Sequence, residues 1–303
     1  MGRANVAGCS VLGEGTWVLV NATDTNPLSR TVHFVVVLAA LSIAVGCARG
    51  DNWVQTYPDV AARARQDPAS FLVAAQAQWD DLQGMVGSYQ VRASRGISSR
   101  TLDTQIHLLR EGFVQIEVLA PTFTSEGYLG VGTREVGLWV SEDRCLYRGP
   151  NEPGAFGRAL GLDLTPESIV ATLMGFAIPA DTAVTSVWDE GEQRVRVSGG
   201  ATTAWLHPVT ARFERLMVST ASGPITVVYE AWSSEGPPVP LRARIEVAAE
   251  DITLQLRLAP TWNANPSGLN VAFFDDMRVD GSVDCPLDRL AVEGGLLRRG
   301  LSR

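Results

Sequence analysis

The sequence contains no lysine, so all 25 of its basic residues are arginine, set against 33 acidic ones for a net charge of −8. Without lysine there is no Schiff base, no serine–lysine dyad and no P-loop. Histidine is scarce as well, limited to His33, His107 and His207. His107 falls on the polar side of an alternating run and His207 precedes Pro208 in an expected turn, so both read as exposed bystanders rather than bases. No His-Glu-x-x-His, Gly-x-Ser-x-Gly or Cys-x-x-Cys occurs, and Gly130-Val131-Gly132 lacks the third glycine of a nucleotide loop. Asp275, Asp276, Asp280 and Asp284 do not have the spacing of a calcium loop and read as a solvated loop. No catalytic set, metal or cofactor is therefore expected. The acidic balance leaves no basic footprint for nucleic acid. Long apolar runs are also missing. The one marked run, residues 35–47, holds about a dozen apolar residues where a bilayer span needs about 20.

That run ends in Ala44-Val45-Gly46-Cys47, with Arg30 and His33 before it and Arg49 and Asp51 after it. A basic flank, a short apolar core and small residues make a secretory signal. The cysteine after the small residues resembles a bacterial lipobox. The resemblance implies cleavage before Cys47 and lipid on its sulfur and new amino terminus, an anchor of more than one acyl chain and enough for stable attachment. A transmembrane anchor is the competing reading. A start placed too far upstream would explain the stretch ahead of the signal, Cys9 included, with Leu28 or Val32 as candidate first codons. Residues 1–46 are set apart as signal and extension, 47–66 as a lipidated tether, 67–281 as the domain and 282–303 as a tail. Ala48 follows the cysteine. By resemblance to enterobacterial sorting, the absence of Asp there implies the periplasmic face of the outer membrane. Beyond Cys47, the mature part holds Cys145 and Cys285. An oxidising periplasm permits a disulfide between them, and two buried free thiols are the alternative.

A hydrophobic content of 46% supplies a core. Asp67-Pro68 reads as a helix start, and Phe71, Leu72, Ala75, Trp79, Leu82 and Met85 follow at helical spacing up to a stop at Gly84 and Gly87. Period-two runs then begin. Tyr89, Val91 and Ala93 alternate with polar residues, as do Leu102 to Leu108 and Val114 to Val118. This is the pattern of an antiparallel sheet with one wet face. A helical island interrupts it: a short apolar stretch from Ala155 to Leu160, then Thr165-Pro166-Glu167 as a second N-cap and Gly175 as the stop. Strands resume. A hairpin turns at His207-Pro208, and Leu241 to Val247 and Ile252 to Leu258 alternate most cleanly around a turn at Glu250-Asp251. No βαβ order appears, which argues against a doubly wound parallel sheet. The expected class is mainly β (α+β), an open antiparallel β-barrel or strongly curled sheet wrapped around short helices.

The order lipobox, helix, antiparallel strands, helical island, strands resembles the LolA/LolB-like lipoprotein carrier and receptor superfamily. The match is best from Leu160-Gly161-Leu162-Asp163-Leu164-Thr165-Pro166-Glu167 to Leu173-Met174-Gly175. The strands at 87–119 with their Leu119-Ala120-Pro121 exit resemble the family's first hairpin. Residues 258–274, with Pro260, Asn263 and Phe273-Phe274, resemble its C-terminal segment. The resemblance implies a concave apolar face that accepts acyl chains of a lipid or acylated lipoprotein. It also implies a membrane-bound receptor handling ligand with a periplasmic carrier or envelope protein. A filled core is the alternative for that face, with Trp232, Leu254 and Leu256 as candidate cavity lining. Phe123, in the loop from Pro121 to Gly127, is the positional counterpart of the membrane-contacting apolar residue of LolB-like receptors, or else tucks into the rim. The expected function is non-catalytic acyl-chain binding in envelope transfer. The alternative is a structural or assembly lipoprotein that scaffolds envelope partners.

Overall fold

The computed structural model describes residues 53–119, 125–141, 144–160, 164–176, 183–279 and 281–292. The signal, Cys47 and Phe123 lie outside these residues. Trp53 onward forms one compact unit.

Fifteen strands in this unit make a single sheet. A first meander comprises β1 (Gly84–Arg95), β2 (Ser98–Leu109), β3 (Phe113–Leu119), β4 (Ser125–Val131), β5 (Glu135–Val140) and β6 (Cys145–Pro150). A second comprises β7 (Thr185–Asp189), β8 (Arg194–Gly199), β9 (Thr202–His207), β10 (Arg212–Thr220), β11 (Gly223–Trp232), β12 (Pro240–Val247) and β13 (Ile252–Leu258). They join where β13 pairs antiparallel with β1, from Tyr89 opposite Leu258 to Arg95 opposite Ile252. The short β14 (Asn263–Ala264) also pairs with β1, and β15 (Val283–Pro286) runs parallel to β6. The sheet does not close: β15 and β7 end the strand order. This is the open, curled, largely antiparallel class that the alternation predicts.

Alternation decides the two faces. Tyr89, Val91 and Ala93 of β1 stand in register with Leu258, Leu256 and Leu254 of β13, and with Thr104, Leu102 and Arg100 of β2. The inner side carries the core, including Ile106, Leu108, Val114, Leu138, Val197, Leu206 and Leu216. Helices pack on it: α1 (Trp53–Thr56), α2 (Pro58–Gln66), α3 (Pro68–Trp79), α4 (Ala155–Leu160) and α5 (Pro166–Met174). Two further helices, α6 (Val271–Asp275) and α7 (Asp288–Val292), belong to the C-terminal part.

Several expectations are corrected. The first amphipathic helix ends at Trp79, not at Met85. Gly84 instead opens β1, whose backbone pairs with β2 over its whole length, and the Asn265 side-chain oxygen accepts from the Gln83 and Gly84 amides at 2.7 and 3.0 Å. Residues 53–66, where a tether is expected, form two helices with Trp53, Ala61 and Ala64 buried. From 282 onward, the described residues of the expected tail form β15 and α7, with Leu287 and Leu290 buried. His207 is not an exposed bystander. It is buried, its ring lies 5.2 Å from that of Trp53, and its Nδ1 accepts from the Val209 amide at 3.1 Å. The outer face is not wet throughout: α6 and Met277 cover β3 to β5, burying Tyr128, Phe274 and Met277. Gly132 makes this cover fit, since a Cβ there would sit 2.7 Å from the Phe274 carbonyl oxygen. Asp275 is exposed, as a loop residue should be, yet its carboxylate accepts from the Thr133 amide and hydroxyl at 2.7 and 2.8 Å.

Candidate functional site: the inner face of the sheet

The inner face has two unlike halves. One half is filled. Trp79, at the end of α3, stacks on Phe213 at 5.9 Å and meets Phe176 and Trp232 edge-on at 5.9 and 6.1 Å. Its indole N–H donates to the Pro238 carbonyl at 2.9 Å, so the buried polar tip is satisfied. Trp232 also packs on Tyr229 at 5.1 Å. A Cβ at Gly175 would lie 2.6 Å from the Trp232 ring, so the left-handed stop of α5 and the indole fit only because this residue is glycine. Trp232 therefore belongs to an aromatic plug.

Helix α5 sits over the sheet with its end pinned from below. Thr165 caps its start by accepting from the Ser168 amide. At its other end the last carbonyls of a helix have no intrahelical donors. Tyr89 and Tyr229 supply two, their hydroxyls donating to the Leu173 and Thr172 carbonyls at 3.4 and 3.1 Å. Burial pushes both phenols well above their ordinary range, so they stay protonated donors.

The other half is apolar and incompletely covered. Val91 of β1, Leu102 of β2, Ile116 and Val118 of β3, Leu129 of β4 and Val140 of β5 are half-buried. So are Val218, Ile245 and Leu254 from the second meander and Ile169 and Leu173 of α5. Most of these pack against the main core, so the open surface is continuous with it. Leu254 joins a smaller cluster around Ile225, Val247 and Ile252, and Leu256 is buried at 8% exposure. Such a surface can do one thing chemically, which is to bury another apolar surface without directional bonds. No grouping of three or more metal-binding side chains occurs among the described residues. On the reverse side, His107 lies against Phe273 with ring centroids 4.8 Å apart. Burial lowers its pKa, with Glu117 opposing. Tyr128, under α6, is raised to about 12 by burial and then by Asp276 and Glu117.

The structure thus places Leu254 and Leu256 on the inner face and Trp232 in the plug beside it. Cys145 and Cys285 are bonded to each other, with Cα atoms 5.6 Å apart. Val91, Leu102 and Val118 were readable as strand residues, but alternation does not say which part of an inner face a helix leaves bare. The two tyrosine clamps were not readable at all.

No protein-family model and no curated protein matches the sequence. Solved structures match at the level of the fold. An outer membrane lipoprotein-sorting protein domain from Vibrio parahaemolyticus is 10% identical with a TM-score of 0.50, over 68% of this chain and 95% of that one. A DUF1329 family protein from Desulfovibrio piger is 13% identical with a TM-score of 0.49, over 70% and 97% of the two chains. A LolA superfamily protein from Nitrosomonas europaea is 13% identical with a TM-score of 0.47, over 68% and 96%.

Proposed function

We propose that this chain, which has a LolA/LolB-like fold, is a cell-envelope lipoprotein that binds acyl chains of lipids or acylated proteins on its open inner face. The half-buried apolar floor from Val91 to Val140, roofed in part by Ile169 and Leu173, carries this reading. Apolar burial contributes about 25 cal/mol per Å², so a long acyl chain gains affinity from length alone. The description of the Vibrio fold-mate as lipoprotein-sorting supports the same chemistry. The reading is non-catalytic: binding and hand-over proceed with no covalent step. Anchoring is proposed through lipid on Cys47, on the periplasmic face of the outer membrane, with a periplasmic carrier or envelope protein as partner. The aromatic plug of Trp79, Phe213 and Trp232 favours a second reading for its half of the face, a filled scaffold for envelope partners.

Two preparations test these readings. Mass spectrometry of the protein from envelopes should show lipid on Cys47 and a co-purifying acylated ligand. The unit from Trp53 onward should take up a fluorescent fatty acid. Val118→Glu and Leu254→Glu should each weaken uptake about tenfold or more, because an unpaired carboxylate is costly in an apolar site. Val118→Glu should do so with little change in melting midpoint, whereas Leu254→Glu should also lower it, since Leu254 packs on Ile225, Val247 and Ile252. No native ligand and no uptake by the wild-type unit would leave the scaffold reading standing.

A further inference from the structure

Arginines on the described strands are matched almost everywhere. Seven of them, Arg95, Arg100, Arg148, Arg194, Arg196, Arg215 and Arg244, lie within ion-pair distance of a carboxylate. An eighth, Arg212, donates to the Ser233 carbonyl at 3.1 Å. Arg92, Arg242 and Arg257 are the exceptions, with no partner among the described residues. All three are exposed, and they are contiguous. Arg242 of β12 stands directly opposite Arg257 of β13. Arg92 of β1 stands opposite Gln255, one diagonal step from Arg257. Alternation aims all three away from the inner face, since Leu256 and Ala243 point inward beside them.

Like charges directly opposite each other destabilise a sheet. In an acidic chain where seven other strand arginines have a carboxylate within ion-pair distance, neither member of this pair has one among the described residues. An external anion would offset the repulsion. A depression of about 400 Å³ opens beside Arg257, lined also by Gln90, Asp103, Leu119 and Pro260, with Arg92 and Arg242 outside its lining. We propose that Arg92, Arg242 and Arg257 form an outer-face site for the phosphate-ester oxyanions of phospholipid headgroups. The guanidinium fork matches phosphate oxygens in pairs. Gln90 adds amide donors, and Asp103 can accept from a hydroxyl or ammonium of the same headgroup. Leu256 points inward and Arg257 outward on one strand, so the arginines stand on the side of the sheet away from the apolar floor. The site takes lipids that remain in a bilayer. It holds whether or not the inner face binds acyl chains.

The test uses the unit Trp53–Arg303, which holds all of the described core residues. Vesicles of phosphatidylcholine with and without phosphatidylglycerol are titrated at low and high salt, and inorganic phosphate is titrated separately. Binding to the anionic vesicles is expected, falling with salt. Arg242→Gln and Arg257→Gln should each weaken it about fivefold. Removing the like-charge pair should also leave the melting midpoint unchanged or higher, which a structural role for these arginines does not predict. Arg215→Gln, a matched arginine of another strand, should change binding less than twofold. Vesicle binding that survives in the double variant overturns the site. Inorganic phosphate binding as tightly as the vesicles overturns the headgroup as its ligand.

Discussion

His107 shows how one side chain couples the outer face to pH. Its ring lies under Phe273, and its Nδ1 is buried without a hydrogen-bond partner. Burial holds its pKa below the ordinary 6.5, against the pull of Glu117. The unfolded chain therefore takes up this proton more readily than the folded one. The sign follows: stability is unaffected above about pH 6.5 and falls as pH drops below it, until the folded pKa is reached. Urea unfolding should show this loss between pH 7.5 and 5.5, and His107→Phe, which keeps a ring against Phe273, should reduce it. An equal pH dependence in both proteins would sink the assignment. At the same scale, local chemistry was legible and distant chemistry was not. Thr165, Pro166 and Gly175 mark α5 because cap and stop act on their own neighbours. The hydroxyls of Tyr89 and Tyr229 clamp carbonyls 84 and 57 residues away, and no local pattern reports that. The burial of His207 is hidden for the same reason, since its ring partner is Trp53.

Strands with one buried face declare themselves, because a slip of one residue would turn every apolar side chain to water. Hence β1, β2, β3, β12 and β13 were readable from alternation, and the order of the sheet was not. Joining β1 to β13 and β15 to β6 is a matter of long-range pairing. The C-terminal element is the clearest case. Val283–Pro286 is too short to carry a periodic signal, yet it extends the edge of β6, and the Val283 and Leu287 amides donate to the Arg144 and Arg148 carbonyls at 2.8 and 2.9 Å. The bond between Cys145 and Cys285, 140 residues apart in sequence, holds this strand in place. Closing a loop of that length restricts the unfolded chain, and such bonds typically contribute about 2–4 kcal/mol. Replacing both cysteines by serine should lower stability by about that amount. It should also speed amide exchange across 283–287 before it affects the β1–β13 seam. Uniform acceleration across the sheet, or none, would show that the edge strand does not depend on the bond.

At the scale of the whole molecule, a single layer of strands separates two surfaces of opposite character. The inner side offers Val91, Val118 and Leu254 to apolar matter, and the outer side offers Arg92, Arg242 and Arg257 to anions. If both surfaces bind as proposed, they divide one process. The arginines set how often the protein meets a bilayer, because charge acts over about a Debye length. The floor sets how much acyl chain it holds afterwards, because apolar contact acts only on touching. Transfer of a fluorescent lipid from anionic donor vesicles to the unit Trp53–Arg303 separates these roles. Arg242→Gln with Arg257→Gln should slow filling while leaving the final amount bound unchanged. Leu254→Glu should lower the final amount while leaving the salt dependence of the initial rate intact. The combined variant should show both defects, multiplied rather than amplified, since the groups lie on opposite faces and share no partner. A double arginine variant that fills as fast as the wild type would mean that lipid reaches the inner face without the outer one. An arginine variant that also holds less lipid would mean that the two faces form one site rather than two.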